Sequence, residues 1–350
     1  MKSLSHHTGK IWQVNRFPAV EGVAPLPCHN KGGYNKNMNT APPTPKGFRD
    51  ILPELALRKR ELINKIAETL EQFSFQPMDT PIVEFADTIL GKYGSEADRL
   101  VYVFKDRGGR KLALRYDLTV PLARFVASNL NLITKGVFRR YQTGEVFRGE
   151  NPQRGRFREF TQFDFDSVGS NDPKEDATII AAAVKSLEAL GIQNFKVFIN
   201  DRNIFSQLVI RAATTADKLP SIVRAIDKIK KIGREGVIDE LVKSGYSSEQ
   251  ATYFLQTIKS YQPTENLQNI FKALEDLGIS SEKYEFSPTL ARGLDYYTGM
   301  IFEIEIEGNV GLSVGGGGRY DNLIGSFAKK DIPAVGFSFG LDRLLETLYP

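Results

Sequence analysis

From residue 41 to the last residue, Pro350, the sequence has no histidine, no cysteine and no tryptophan. His6, His7 and His29, together with Cys28 and Trp12, all lie in the first forty residues. The body of the chain therefore offers no thiol or imidazole nucleophile, no histidine general base and no Cys/His metal cage. If it does chemistry, its side chains bind, orient and neutralise charge, and the nucleophile comes from the substrate. A single cysteine excludes a disulfide framework and suits a reducing cytoplasm. Long apolar runs are missing too, since none approaches the roughly 20 residues that cross a bilayer. The opening MKSLSHHTGK has no apolar signal core behind its lysine. Finally, the body lacks net charge. Lys2, Lys10, Arg16, Lys31 and Lys36 against Glu21 account for the formal +4, which leaves everything after residue 40 neutral overall. Attraction to an anionic partner must then be local.

What is present suits a globular protein, with 41% hydrophobic and 25% charged residues over 350 positions. Residues 1–40 hold no sustained periodicity and contain GGYNKN and PLP, so they read as a disordered or adventitious extension. A different texture begins at PPTPKGFRDILP. An amphipathic helix is expected over about 54–73, with Leu62, Ile63, Ile66, Leu70 and Phe73 on one stripe. FQPMDTPIVEF reads as extended, and LVYVFKD and RKLALRYD flank an Arg-Gly-Gly-Arg tip as a β-hairpin. A helix at about 118–130, a strand in QFDFDSV with one buried face, a helix at 173–190 and a strand in KVFIND follow. From about 203 to 280 the pattern is helix after helix around the basic IDKIKKIGREG. Strand character returns in MIFEIEIEG, where Phe302, Ile304 and Ile306 alternate with Glu303, Glu305 and Glu307. AVGFSFGLDRLLETL reads as a glycine-marked strand turning into a helix. Mostly antiparallel strands with peripheral helices predict an α+β fold. The expected divisions are 1–40, 41–202, a helical insertion at 203–285, and 286–350.

One stretch departs from the even charge. FRGENPQRGRFREF, residues 147–160, holds Arg148, Arg154, Arg156 and Arg158 and no lysine. Arginine presents a planar fork that grips phosphate or carboxylate through two bonds, whereas lysine is a point charge. Gly149, Pro152 and Gly155 break the stretch, so it is expected to bend between two strands. A strand pair of this kind places Arg148 and an acidic residue on one face.

The order Phe-Arg-x-Glu, a loop, then Arg-x-x-x-Phe resembles motif 2 of the class II aminoacyl-tRNA synthetases. GFSFGLDRLLETL resembles their motif 3, with Ser338 where the middle glycine usually stands and Asp342 before Arg343. The helix and extended segment over 54–85, with Pro81, resemble motif 1, an element of the dimer interface. LARGLDYYTG at 290–299 resembles the histidine-specific signature of the histidyl-tRNA synthetases, and GGGGRYDNL at 315–323 its companion. LRYDLTVPLAR at 114–124 and TQFDFD complete the set, and the resemblance runs from about residue 45 to 350.

The resemblance implies an antiparallel class II sheet flanked by helices, with residues 41–202 and 286–350 as the two parts of the catalytic domain. It implies a histidine–tRNA ligase that forms histidyl-adenylate from histidine and ATP with Mg²⁺ and passes it to tRNA(His). The enzyme would be a cytoplasmic homodimer with no metal held by the protein itself. By resemblance Arg148 contacts the α-phosphate of ATP, Glu150 the adenine side, Phe160 the adenine ring, Arg156 the γ-phosphate region, and Arg343 also holds ATP. Asp117 and Thr119 take the α-ammonium group, and Gln162 and Asp166 the amino group and imidazole. Arg292 sits beside the reacting carboxylate and joins Arg148 as a catalytic residue, while Tyr296 and Tyr297 wall the imidazole. The family normally continues after motif 3 with an anticodon-binding domain of about a hundred residues, and this sequence stops at LETLYP. A paralogue without that domain serves as a regulatory subunit of ATP phosphoribosyltransferase in histidine biosynthesis, which is the alternative. Such paralogues tend to lose catalytic positions. Here Arg148, Glu150, Gln162, Arg292 and Arg343 all stand, which favours the synthetase.

Overall fold

The computed structural model describes residues 42–152, 155–211, 218–307 and 313–349. The extension expected at 1–40 lies outside the described residues. The first helix, α1 (Pro53–Gln72), starts on a proline whose fixed φ suits the first turn, and buries Leu62, Ile66 and Leu70. It stops at Ser74, which adopts a positive φ of 64°. Two short strands follow, β1 (Gln76–Pro77) and β2 (Val83–Phe85). The short helices α2 (Ala86–Ile89) and α3 (Ser95–Asp98) lead to the hairpin β3 (Val103–Lys105) and β4 (Lys111–Leu114). β2, β4 and β3 form a small antiparallel sheet of their own. Helix α4 (Thr119–Ser128) then returns the chain to the main sheet.

That sheet has eight strands: the first is β1, joined by β5 (Phe138–Phe147), β6 (Glu159–Val168), β7 (Phe195–Asp201), β8 (Tyr284–Phe286), β9 (Met300–Ile306), β10 (Ser313–Arg319) and β11 (Ala334–Gly340). Their order is β1-β5-β6-β11-β10-β9-β7-β8. The two outermost pairs are parallel and every inner pair antiparallel. Helix α5 (Pro173–Ala189) is capped by Asp172, whose carboxylate accepts from Lys174 N at 2.9 Å. It packs with α1 against one face of the sheet, where Phe163, Phe165, Phe302, Phe337 and Phe339 complete the largest core.

Strand alternation sends the intervening residues to the other face. Across β5, β6 and β11 the register sets Arg140, Asp166 and Gly336 in one row. Gln142, Asp164 and Ser338 form the next row. QFDFDSV was expected to bury one face, but Gln162, Asp164 and Asp166 are only 9%, 2% and 2% exposed. Both faces are covered, because the polar side packs under Arg140 and the residues ahead of α4.

The helical stretch comprises α6 (Asn203–Arg211), α7 (Leu219–Asp227), α8 (Ile229–Lys243), α9 (Ser248–Ile258) and α10 (Glu265–Asp276). α8 kinks at Gly233, which has a φ of 69°. Residues of α6–α9 bury one cluster that also takes in Leu290, Ala291, Tyr297 and Ile301. α10 instead sends Leu267, Ile270 and Leu274 into the core beneath the main sheet. The last helix, α11 (Leu341–Leu348), runs directly out of β11.

Candidate active site

The polar face of the sheet floors a cavity of about 470 Å³. Every residue nominated from sequence lines it: Asp117, Thr119, Arg148, Glu150, Arg156, Phe160, Gln162, Asp166, Arg292, Tyr296, Tyr297 and Arg343. They come from β6, the β5–β6 loop, the start of α4, the 290–299 segment and α11, so only the fold brings them together.

One end is cationic. Arg148 follows β5; its Nε donates to the Tyr116 carbonyl at 3.2 Å, and its guanidinium lies 4.3 Å from the Tyr116 ring centre and 5.0 Å from that of Phe160. Arg343, in the first turn of α11, donates from Nη1 to the Ser313 carbonyl at 2.7 Å. Burial holds the Arg343 pKa below the ordinary arginine value, and the like charges of Arg156 and Arg148 push the same way. Arg156 meets one carboxylate, Glu150, at 3.6 Å. Three guanidiniums thus face a space in which a neutral carbonyl or a distant carboxylate is their main protein partner. Phosphate oxygens are the acceptors such an array accommodates.

The opposite end carries carboxylates. Asp117 accepts from Tyr93 Oη and from Val120 N, both at 3.0 Å, while its other oxygen is buried with no hydrogen-bond partner. Burial raises its pKa. Asp166 is paired at 2.7 Å with Arg140, a fully buried arginine, and accepts from the Tyr320 hydroxyl. Gly336, opposite Asp166 in the register, has to be glycine, since a Cβ there would sit 1.8 Å from the Asp166 carboxylate. Gln162 donates from Nε2 to the Ser338 hydroxyl at 2.7 Å, leaving its carbonyl oxygen buried and unpartnered. The rings of Tyr93, Tyr296, Tyr297 and Tyr320 form a connected wall, with centroid separations of 4.8–6.4 Å between Tyr296 and the other three.

Arg292 stands at the cavity on a segment separate from the other arginines. Its Nη1 donates to Glu303 at 2.9 Å, its Nε is buried without a partner, and it lies 5.6 Å from the Tyr297 ring centre. Gly316 makes room for it, because a Cβ at that position would fall 1.6 Å from Arg292 Nη1.

Sequence reasoning missed several wall residues. Tyr93 lies in an irregular stretch without a motif, and Glu303 stood only as a glutamate alternating with Phe302 and Ile304 along a strand. Asp227 and Lys228 belong to the helical stretch and still line the cavity. Burial and the nearby Glu303 push the Asp227 pKa up to about 6. Lys228, at the basic centre of that stretch, is paired with Glu240 at 2.8 Å. The lone carboxylate within IDKIKKIG was the available signal.

A family model described as histidyl-tRNA synthetase matches residues 47–344. The histidine–tRNA ligase of Aeropyrum pernix is 44% identical over 324 residues, covering 87% of this chain and 74% of its own. That of Rhodopirellula baltica is 39% identical over 330 residues, covering 88% and 74%. The crystal structure of histidyl-tRNA synthetase from Nostoc sp. PCC 7120 superposes with a TM-score of 0.74 at 30% identity, covering 87% of this chain and 75% of that one. A Bacillus halodurans structure described as an ATP phosphoribosyltransferase regulatory subunit/histidyl-tRNA synthetase has a TM-score of 0.73 over 88% of this chain and 83% of its own; at 24% identity it shows the fold alone. With a cavity polarised between arginines and carboxylates, and a family model matched across nearly all of the described residues, this chain belongs to the histidyl-tRNA synthetase family.

Proposed function

We propose that this chain activates histidine with ATP, releasing pyrophosphate and forming histidyl-adenylate, and transfers the histidyl group to the 3′ end of tRNA(His). The observation that carries the reading is the charge division of one cavity, with Arg148, Arg156 and Arg343 at one end and Asp117 and Asp166 at the other. A zwitterionic amino acid and a triphosphate need this division. The α-ammonium belongs beside Asp117, Thr119 and the free Gln162 oxygen, and the imidazole beside Asp166 and the tyrosine wall. ATP enters as its magnesium complex with its adenine against Phe160 and Glu150 and its phosphates among the arginines. The histidine carboxylate is the nucleophile, which agrees with a body that has no His or Cys. It attacks the α-phosphorus and pyrophosphate leaves; Arg148 and Arg292 offset the charge that builds there, so catalysis is positioning and electrostatics.

The remaining readings have their own supports. Phe85, Leu112 and Phe104 align across the small sheet, and Phe85 and Phe104 are exposed, as are Ile82 and Val83 beside Pro81. An apolar face of that kind, which includes Ile82, Val83 and Phe85 of the region resembling motif 1, suits a homodimer. Among the described residues no helix is long and apolar enough to cross a membrane, and cytoplasmic residence follows from where the proposed reaction takes place. The division into a catalytic domain at 41–202 and 286–350 with an insertion at 203–285 is supported by the strands on either side and by α6–α9, which bury their own cluster, whereas α10 and β8 join the main core and sheet. Pyrophosphate exchange into ATP that depends on histidine tests the function. A histidine-sensing regulatory subunit would bind histidine and show no exchange.

A further inference from the structure

One buried carboxylate has no part in the contacts assigned above. Asp164 sits on β6 between Gln162 and Asp166, 2% exposed and behind the cavity wall. Its register partners are Gln142 on β5 and Ser338 on β11, and one of its oxygens has no hydrogen-bond partner. Ser338 faces this carboxylate directly across the β6–β11 pair, and its hydroxyl receives the Gln162 amide Nε2 at 2.7 Å. Ser338 is the residue that departs from the usual glycine of the strand–helix motif. It therefore links a residue outside the cavity to one inside it.

The direction of these bonds follows from proton counting. A hydroxyl has one proton to give, and an ionised carboxylate can only accept. With Asp164 ionised, the Ser338 proton points to Asp164 and the Ser338 oxygen is left as an acceptor. The Gln162 side chain must then offer its NH₂ to Ser338, which leaves Oε1 as the other end of the amide, buried and unpartnered, in a residue that lines the cavity. Without an ionised acceptor at 164 the hydroxyl is free to donate to Gln162, and the amide turns over. It would then present NH₂ to a substrate that is itself a donor.

We propose that Asp164 is a positioning residue for the substrate: acting through Ser338, it fixes the Gln162 amide with its oxygen toward the α-ammonium group. This rests on the histidine-activating reading above. The charged and titratable groups facing Asp164 are Arg140 on β5, Asp166 on β6, Arg115 and Asp117 ahead of α4, and Tyr297 and Tyr320. Burial is the largest influence and Asp166 adds to it, while Arg140 and the Ser338 bond oppose, and the Asp164 pKa is pushed up to about 7. The orienting form is the ionised one. It is present above that pH and lost as the pH falls through it, so histidine binding weakens on acidification.

The test is a double-mutant cycle on histidine-dependent pyrophosphate exchange, with Asp164→Asn, Ser338→Ala and the double variant assayed from pH 6 to 8.5. Asparagine removes the requirement that position 164 only accept. Asp164→Asn should raise the KM for histidine about tenfold at pH 8, the scale of one hydrogen bond to a charged group. The kcat and the KM for ATP should stay near parental values, and the variant should lack the parental rise in KM on acidification. Histidine's own imidazole titrates in both proteins, so the difference between the two profiles reports Asp164. In the Ser338→Ala background the Asp164→Asn change should have little further effect. An equal effect in both backgrounds, or none in either, overturns the relay while leaving the function intact. A parent chain that performs no histidine-dependent exchange overturns the function and the relay with it.

Discussion

At the cationic end of the cavity, Arg148 and Arg343 are held by single backbone carbonyls and an aromatic face, so their charge stays available to a ligand. At the other end, Asp166 has its charge cancelled inside the protein by Arg140, and what it offers a ligand is geometry. The first arrangement suits a polyanion that brings its own compensating charge. The second suits discrimination, because a buried acceptor in a fixed place rejects a partner that cannot donate to it. Under the proposed function, affinity for phosphate and selectivity for one amino acid fall to different ends of one space. Arg292 belongs to neither, and reaches the cavity from the 290–299 segment.

Breaking the internally neutralised end should cost stability first. Arg140→Met leaves Asp166 buried with no cation, beside Asp164, and removing one partner of a buried pair costs about 3–5 kcal/mol. Urea unfolding should show that loss; a change below about 1 kcal/mol would mean that Asp166 is neutral or hydrated in the native protein. Arg292→Ala tests the junction between the ends. Loss of a donor aimed at developing charge lowers the exchange rate about 10²–10³-fold. Urea stability should hold, since the Arg292 partner Glu303 is not fully buried. Arg292→Lys keeps the charge without the fork and should remain strongly impaired. Exchange within a few-fold of the parent would remove Arg292 from the mechanism. Gly316→Ala is the mildest change. The added methyl displaces the Arg292 tip, and a misplacement near 1 Å costs up to about a hundredfold. Gly316 has no positive φ, so the fold should tolerate alanine. A loss of stability in place of activity would assign the clash to the sheet and not to the arginine.

The cationic end was the more legible one in the sequence. Arg148, Glu150, Arg156 and Phe160 sit in one hairpin, and Arg343 follows a strand–helix junction, so local patterns hold most of the information. The carboxylate end depends on register. Arg140 meets Asp166, and Ser338 meets Asp164 and Gln162, across strands separated by up to 176 residues in the chain. No short motif records such a pairing. The same reason explains why QFDFDSV was read with one buried face, because its polar side is covered by residues that periodicity cannot place. The glycine run at 315–318 lacks strand propensity, yet it pairs on both sides as β10, where small size matters more than propensity. Asp227 and Lys228 were hidden differently, since a helical stretch of mixed charge does not announce which turn faces a cavity.

The charge-divided cavity is the centre of the account, and one measurement addresses it directly. Purified chain is incubated with MgATP and labelled pyrophosphate, with and without histidine, and with other amino acids in its place. Label should enter ATP with histidine and stay near background with every other amino acid. Histidine binding by calorimetry without any exchange would contradict the account and assign the cavity to sensing.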